Sequence, residues 1–541
     1  MTANPPDPGL SFQLLDEPLI RWRRHADGAL QRSSLPELFA ALVRDEVRDF
    51  PALRAHQRHS WHAFLCQLAA IALHAAEQDT PFEAAEEWRA VLLALTPGHP
   101  DGAAWCLVAP PDRPALLQAP VPSGDLAGWQ EPMHTPDNLD MLLTAKNHHL
   151  KLGRAFHSEP DDWLFALLSL QTQDMHSVKY VGGISRKGGS IGARVGVGAE
   201  SSIGGFGANW WAHTLILLAE RETVRDDHSF ADGGIALLWL SPWDGATSLP
   251  LTSLAPHYIE ICRSVRLIEH DGRVLATKTP NPKPRIEQIG AIGLTGDPWA
   301  PLFVVRKTGA YSPLTVGESG FNHKVVARLL SLADCKASAA QSVRRMKPAD
   351  RPQLVARSIG IKGGIKSETL GFHERRVPLS PRMVSLLQSD NHSALAAVAK
   401  ERELALGEVR SLLRYALVAL FNNGKSDKEA SDPLKAKASR FADAFERKED
   451  ARFFTDLTDE VDSDHAPAER LQWLIGLAER ADAHLLLAFE AGPRSAVRRY
   501  RARSAALSRF RGGLRGTKSP LPALAEHYRQ QTPPQTSAED T

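Results

Sequence analysis

The chain has 541 residues, of which 43% are hydrophobic and 23% are charged, and its 64 Lys+Arg against 63 Asp+Glu give a net charge of +1. This composition is typical of a globular protein with roughly two to four domains. It argues against a free-standing nucleic-acid-binding protein, which is often far more basic, and favours local basic patches on a subunit of a larger assembly.

Four cysteines, Cys66, Cys106, Cys262 and Cys335, lie far apart without a C-x-x-C pair. This spacing excludes a zinc ribbon or a disulfide framework and predicts reduced, buried thiols. The N-terminal residues lack the basic and apolar segments of a secretory signal, and the apolar stretch around 64–76 is too short to span a bilayer. We therefore expect a cytoplasmic protein with no membrane contact, no bound metal and no cofactor.

The first 378 residues alternate short strands, helices and long loops, which predicts a mixed α+β domain. In chain order we expect a strand and turn at 11–25, then helices near 36–48, 58–77 and 82–95, and a loop over 97–136 around a short apolar run. A helix near 161–172 and a helix over Trp210–Arg221 follow. The remaining elements are a buried strand over Gly234–Leu240, antiparallel strands over 256–310, a helix near 322–343 and a strand at 353–361.

From Pro381 the pattern becomes helical, with breaks near 423–432, 462–466 and 492–493. Apolar residues recur at helical spacing, as in Leu406, Val409, Leu413, Leu417 and Leu420. Four helices joined by short polar loops predict an antiparallel bundle. The predicted fold class is thus α+β, with a large mixed domain over 1–378, a C-terminal four-helix bundle over 379–530 and a disordered tail over 531–541.

The last long helix is strongly basic. From Arg494 to Lys518 the chain carries nine Lys and Arg residues and no acid. Such a surface fits DNA, or an acidic face of a neighbouring subunit, and the pattern leaves both open. One hypothesis is accordingly a helical adaptor without any nucleic-acid contact.

The stretch from Lys179 to Gly207 combines a high density of glycine with positive charge. Glycine lets the main chain approach a ligand closely, and exposed N–H groups beside cations suit a polyanion such as nucleic acid. The stretch resembles the start of a nucleotide phosphate loop, but glycine stands where that loop needs its lysine, so nucleotide hydrolysis is not expected. The candidate DNA-binding residues here are Gly182, Gly183, Arg186, Lys187, Gly188, Gly189 and Gly192.

The usual catalytic spacings, such as H-E-x-x-H and G-x-S-x-G, do not occur. The strongest alternative is a metal-dependent nuclease built on His148, His149 and His157. No carboxylate lies at ligand spacing within that basic segment, which favours a loop that contacts phosphates over an enzyme. The residues expected to make these contacts are Lys146, Asn147, His148, Lys151 and Arg154.

Several stretches, taken in order, resemble the CasA family, the large subunit of the type I-E CRISPR surveillance complex Cascade. They are LLDEPLIRWRRHADG, SLPELF, TAKNHHLK, LFALLSLQT, NWWAHTLIL, PHYIEICRSVRL, GDPWAPLFVVRK and GIKGGIKSETLGFHERRVPL. The resemblance spans most of the chain and agrees with the predicted domains.

The resemblance implies a non-catalytic subunit that reads the flanking motif (PAM) of double-stranded target DNA from the minor groove and helps to open the duplex. It also implies contact with the 5′ handle of the guide RNA (crRNA). The implied partners are crRNA, target DNA, the backbone, handle-binding and small subunits of Cascade, and the effector helicase-nuclease, which the subunit helps to recruit.

The resemblance also assigns residue roles. The glycine loop corresponds to Gly182–Gly192, and the loop that meets the RNA handle corresponds to 144–157. The family's wedge, which separates the DNA strands, is led by a glutamine that this loop lacks. Either Glu368 or Thr369 takes its part, or duplex opening relies on other groups. A minor-groove lysine is expected among Lys278, Lys283 and Arg285, and the wedge at Lys366, Ser367, Glu368 and Thr369.

Overall fold

In a computed structural model, the described residues are 9–140, 158–174, 181–187, 193–287, 293–305, 308–330, 335–336, 342–343, 345–362, 368–389 and 392–531. They form two compact units. Unit 1 comprises Met1–Phe321 and Ala333–Pro378, and unit 2 comprises Asn322–Leu332 and Leu379–Thr541.

Unit 1 mixes helices and strands. Its helices are α1 (Leu35–Val43), α2 (Arg58–Ala75), α3 (Ala85–Ala94), α4 (Pro136–Leu139), α5 (Pro160–Gln173) and α6 (Phe206–His228). Its strands are β1 (Ser11–Gln13), β2 (Ile20–Arg24), β3 (Leu30–Ser33), β4 (Val47–Asp49), β5 (Cys106–Val108), β6 (Val195–Ser201), β7 (Ile235–Leu237), β8 (Leu254–Ile259), β9 (Ser264–His270), β10 (Arg273–Thr279), β11 (Leu302–Val304), β12 (Tyr311–Pro313), β13 (Cys335–Lys336), β14 (Pro352–Lys362) and β15 (Glu368–Pro378).

The sheets of unit 1 are small. Three have three strands each, in the orders β3–β2–β4, β12–β11–β13 and β15–β14–β6, and three have two strands, β1–β5, β9–β10 and β7–β8. All these pairs are antiparallel except β7–β8. Helix α2 is buried on nearly every side and packs on α5, α6 and β8.

Several segments differ from the predicted elements. The strand expected over Gly234–Leu240 is confined to β7, and a 3-10 helix follows over Leu238–Leu240. The helix expected over 36–48 ends at Val43, and the chain turns through Asp45 (φ 53°) into strand β4. The Asp45 carboxylate accepts hydrogen bonds from the N–H groups of Gly205 and Ala208, each at 2.8 Å, and so caps helix α6. The helix expected over 322–343 is also shorter, because Cys335 and Lys336 belong to strand β13.

The glycine-rich stretch contains a core strand. Strand β6 pairs with β14, and its glycines are required by packing, because a Cβ on Gly196 would lie 2.4 Å from the His59 ring and one on Gly198 would lie 2.9 Å from the His213 ring. Val195–Ser201 therefore belongs to the core and not to a ligand-binding loop. Glycine here admits imidazole rings instead of a ligand.

Unit 2 is helical, with α7 (His323–Leu329), α8 (Pro381–Gln388), α9 (His392–Phe421), α10 (Asp432–Asp462), α11 (Ala466–Leu487), α12 (Ala496–Arg515) and α13 (Pro522–Gln531). Helix α9 packs on α10, α11 and α12, and the apolar stripe predicted from Leu406 to Leu420 is buried. Short helix α7 packs on α9 and α10, although it lies in the chain before strand β14. Gln531, placed in the predicted tail, ends helix α13, and residues 532–541 lie outside the described residues.

Cys66, Cys106 and Cys262 are unpaired and buried, as predicted. Burial raises the pKa of the Cys106 thiol to about 12 and raises that of Cys66 and Cys262 as well, so these groups stay protonated. None of the helices in the described part of the chain combines the length and apolarity needed to cross a bilayer.

Candidate nucleic-acid interface

The start of the glycine loop packs against a second loop, Pro280–Arg285. The Val181 N–H donates to the Asn281 carbonyl at 3.0 Å, and the Asn281 side-chain amide donates to the Val181 carbonyl at 3.2 Å. Gly182 has φ +86°, and a Cβ there would lie 2.2 Å from Cβ of Pro284. Two segments that are separately predicted to contact DNA are thus held side by side.

The cations within the glycine loop point inward. Arg186 is 3% exposed, donates to the Tyr258 carbonyl at 2.7 Å, lies 4.1 Å from the centre of that tyrosine ring and pairs with Glu260 at 3.6 Å. Lys187 is 1% exposed and its ammonium donates to the Gly182 carbonyl. Burial lowers the pKa of Lys187 to about 8. The prediction that Arg186 and Lys187 contact DNA is therefore corrected: both are interior groups that fix the loop.

Arg285 has a similar interior position. Its guanidinium donates to the carbonyls of Leu238, Ser241 and Pro242 at 2.9 to 3.2 Å, and burial lowers its pKa to about 10. Arg285 is therefore corrected as well, since a cation already bonded to three carbonyls inside the protein does not reach a groove.

The two remaining lysine candidates differ in exposure. Lys278 is half-buried near the end of β10, opposite Val265. Lys283 has an exposed side chain on a fixed main chain, because its N–H donates to the Gly245 carbonyl at 3.1 Å and its carbonyl accepts from Asn281 at 3.0 Å. Of the predicted minor-groove residues, Lys283 is the best placed to meet a ligand.

The predicted wedge belongs to a long β-hairpin. Strands β14 and β15 pair along their lengths, and Glu368 and Thr369 open β15 opposite Lys362 and Ile361. The register shifts beyond Gly360, where one extra residue enters β15 as a bulge, a feature that bends and twists a strand. Lys366 and Ser367 belong to 363–367, between the strands and outside the described residues.

The half of this hairpin that pairs with β6 is here called the hairpin base (352–358 and 373–378). Ion pairs that the sequence does not reveal join its strands. Arg357 on β14 contacts Glu200 on β6 at 2.5 Å and Glu374 on β15 at 2.6 Å, and so joins all three strands. Arg376 pairs with the same two carboxylates at 3.5 and 2.9 Å. Glu374 is thus held by two arginines.

These ion pairs predict a pH dependence of stability. Burial raises the pKa of Glu200, but Arg357 outweighs it and leaves the pKa at about 2, below the usual 4.5. A depressed pKa contributes stability above the unfolded-state value and loses it as the pH falls through the folded-state value. We expect the free energy of unfolding of unit 1 to fall between about pH 4.5 and pH 2, and to fall less in Glu200→Gln. Urea unfolding at stepped pH measures this, and equal pH slopes in the two proteins would contradict it.

Both ends of the predicted RNA-handle loop lie at one cavity. Asp140, before the loop, accepts from Gln57 at 2.8 Å and lies 2.8 Å from His56, while Ser158, after it, accepts from Trp163 at 3.0 Å. Asp140 and Ser158 both line a cavity of about 190 Å³. The two residues that flank the predicted handle loop thus lie at one site on unit 1.

Several candidates lie outside the described residues. They are Gly188, Gly189 and Gly192 of the glycine loop, Lys146, Asn147, His148, Lys151 and Arg154 of the handle loop, and His149 and His157 of the alternative nuclease site. Among the residues that the structure does describe, no group of His, Cys, Asp and Glu is arranged to hold a metal ion.

The basic helix α12 is partly neutralised within unit 2. Arg511 pairs with Asp482 at 2.8 Å, and Arg509 donates to the Lys425 carbonyl at 2.8 Å. Near its N-terminus, Arg498 and Arg499 are exposed beside Tyr500, which is 79% exposed. Arg515, the last residue of the helix, is exposed as well, so accessible positive charge remains at both ends of the helix.

The chain is similar to known proteins in its fold. No protein-family model matches the chain and no curated protein matches it by sequence. The fold is similar to that of the CRISPR-associated protein Cse1 from Acidimicrobium ferrooxidans, with a TM-score of 0.64 at 15% identity over 97% of this chain and 100% of that one.

Two further solved structures share this fold. The chain is similar to Thermus thermophilus CasA (Cse1), with a TM-score of 0.58 at 15% identity, covering 92% of this chain and 98% of that one. It is also similar to a chain of a CRISPR RNA-guided surveillance complex, with a TM-score of 0.57 at 12% identity, covering 93% and 99%. The mixed unit followed by a helical unit is therefore the CasA fold, as the sequence resemblance predicts.

Proposed function

We propose that this chain is the large, non-catalytic subunit of an RNA-guided CRISPR complex of the type I-E kind. The observation that carries the proposal is the likeness in fold to CasA proteins, which extends over almost the whole of both chains. In this role the subunit recognises the flanking motif of double-stranded target DNA, helps to open the duplex, contacts the 5′ handle of the crRNA and helps to recruit the effector nuclease.

The DNA reader is proposed to be the pair of loops around Gly182 and Lys283. The exposed ammonium of Lys283 suits the negative potential of the minor groove, while the glycine loop keeps side chains out of a groove too narrow for a helix. Half-buried Lys278 and, outside the described residues, Gly188, Gly189 and Gly192 complete this proposed surface, whereas Gly182 and Gly183 are buried and hold the loop in place. Because the minor groove distinguishes A·T from G·C only coarsely, such a reader tolerates several related motifs.

Duplex opening is assigned to the end of the β14–β15 hairpin, at Lys366, Ser367, Glu368 and Thr369. Unstacking one base step costs a few kcal/mol. Pairing between guide RNA and target strand offsets that cost as it extends, so a small wedge on a firmly anchored hairpin is sufficient. The ion pairs of Arg357 provide the anchor at the hairpin base.

The RNA contact is assigned to the loop between Asp140 and Ser158. Lys146, Lys151 and Arg154 there supply charge for phosphates, and Asn147 and His148 supply hydrogen bonds. Contacts of this kind position a strand without reading its sequence, which suits a handle that is common to all guides of one system.

The test is the variant Lys283→Ala in the assembled complex of guide RNA, the other subunits and this chain. We expect weaker binding of motif-bearing duplex and a salt slope of log K smaller by about 1, because one groove cation is lost. The matched control is Lys428→Ala, which removes an exposed lysine from unit 2. Identical affinities and salt slopes for the two variants would contradict the assignment of Lys283.

A further inference from the structure

A second basic site lies in unit 1, and none of its lining residues belongs to the Gly182 and Lys283 loops. It is a cleft of about 560 Å³ between the β2–β3–β4 sheet, the first turn of α2, the start of α6 and the base of the β14–β15 hairpin. Five arginines from these separate elements line it: Arg23, Arg48, Arg58, Arg357 and Arg376.

The charges of the cleft do not balance. Asp49 pairs with Arg23 at 3.3 Å and with Arg48 at 3.1 Å, while Glu200 and Glu374 share Arg357 and Arg376. Even with Glu374, which lies outside the lining, three carboxylates offset five guanidinium groups. His62, also in the lining, adds no charge, because burial lowers its pKa well below the usual value.

Of the five arginines, Arg58 is the one available to bind a ligand. It lies in the first turn of α2 with an exposed side chain that makes no ion pair or hydrogen bond to the residues the structure describes. A guanidinium in a concave site beside other guanidinium groups matches the geometry of a phosphate, which accepts paired hydrogen bonds. A phosphate monoester carries a charge of about −1.5 to −2 at pH 7, which offsets the excess of the cleft.

The cleft also has an aromatic wall. Phe206, the first residue of α6, lines it and is half-buried, and Phe50 supports that ring edge-on with the ring centres 5.1 Å apart. Nucleobases stack on exposed aromatic rings irrespective of base identity. The volume lies within the range of about 300–1,000 Å³ that is usual for small-ligand sites.

We propose that this cleft binds a nucleoside phosphate, with its phosphate against Arg58 and Arg48 and its base against Phe206. The ligand is either a free nucleotide or the phosphorylated end of a strand, since both present the same group. This inference does not depend on the proposed function. Because Arg357 and Arg376 also hold the hairpin base, ligand binding in the cleft is expected to stabilise the β6–β14–β15 sheet.

The test is calorimetric titration of the full chain with 5′-AMP and with adenosine. We expect one saturable site for 5′-AMP and binding of adenosine weaker by at least about tenfold, the usual value of a charge-assisted contact. Arg58→Ala is expected to weaken 5′-AMP binding by a similar factor. The matched control, Arg273→Ala, removes an exposed arginine at the start of β10 and is expected to bind like the unmodified chain.

A trinucleotide with a 5′-phosphate and its 5′-hydroxyl counterpart distinguish the two sources. If the phosphorylated trinucleotide binds and Arg58→Ala weakens that binding, the ligand is a strand end. If 5′-AMP binds and the phosphorylated trinucleotide does not, the ligand is a free nucleotide. Equal binding of 5′-AMP and adenosine, or unchanged 5′-AMP binding by Arg58→Ala, would overturn the proposal.

Discussion

Replacing Arg357 with alanine is expected to lower the free energy of unfolding of unit 1 by about 3–5 kcal/mol, the usual effect of removing one partner from a buried ion pair. The guanidinium is largely buried and contacts two carboxylates, Glu200 and Glu374, on the two strands that flank its own. Without it, both carboxylates remain close together, and among the described residues Arg376 is their remaining ion-pair partner. The hairpin should loosen at its base as well.

Two controls isolate the ion pairs from the loss of side-chain packing. Arg376→Ala removes an arginine that is 40% exposed, and it should cost below about 1 kcal/mol because water screens the pair. Arg357→Met combined with Glu200→Gln and Glu374→Gln removes every charge and should recover much of the stability. Tryptophan fluorescence during urea unfolding reports on unit 1, since every tryptophan except Trp473 precedes residue 300. Unfolding of Arg357→Ala at the unmodified midpoint would contradict the prediction.

Replacing Gly182 with alanine is expected to impair target-DNA binding at least as much as Lys283→Ala does. Gly182 has a positive φ, and the added Cβ would lie 2.2 Å from Cβ of Pro284 and 3.0 Å from its Cα. A contact that close forces one loop to move. Since Pro284 directly follows Lys283, the lysine moves with it and leaves its proposed position in the groove. The strained backbone itself costs about 1–3 kcal/mol of stability.

Gly233→Ala is the matched control for Gly182→Ala. Gly233 has φ +70°, and a Cβ there meets no other group within 4 Å, so this variant imposes the backbone strain without the collision. We expect both variants to lose stability and only Gly182→Ala to lose DNA affinity in the assembled complex. If the complexes carrying the two variants bound motif-bearing duplex equally well, the packing of Gly182 on Pro284 would not position Lys283 for DNA.

The long helices could be predicted from the sequence, and the short strands could not. Helix α2 and the stripe from Leu406 to Leu420 repeat an apolar pattern over several turns, which is a strong local signal. Strands β3 and β4 have four and three residues, too few for any periodicity to appear. Strand β6 was hidden by glycines whose purpose is to admit His59 and His213, which lie far away in the chain.

The roles of the basic residues were the hardest to predict, because a cation's partner is often distant in sequence. Arg194 pairs with Asp297, both buried, and Arg186 pairs with Glu260, so the positive charge of the glycine stretch is largely used inside the protein. Exposure and pairing are properties of the tertiary structure. The near balance of 64 basic and 63 acidic residues is the one signal in the sequence that agrees with such internal pairing.

The most direct test of the proposed function compares two complexes reconstituted with the same guide RNA and the other subunits, one with this chain and one without it. Binding is measured for guide-matched duplexes that differ only in the flanking sequence. We expect tight binding that depends on the flanking sequence in the complex containing the chain, and loss of that dependence without it. Equal affinity and equal preference for the flanking sequence in both complexes would contradict the proposed function.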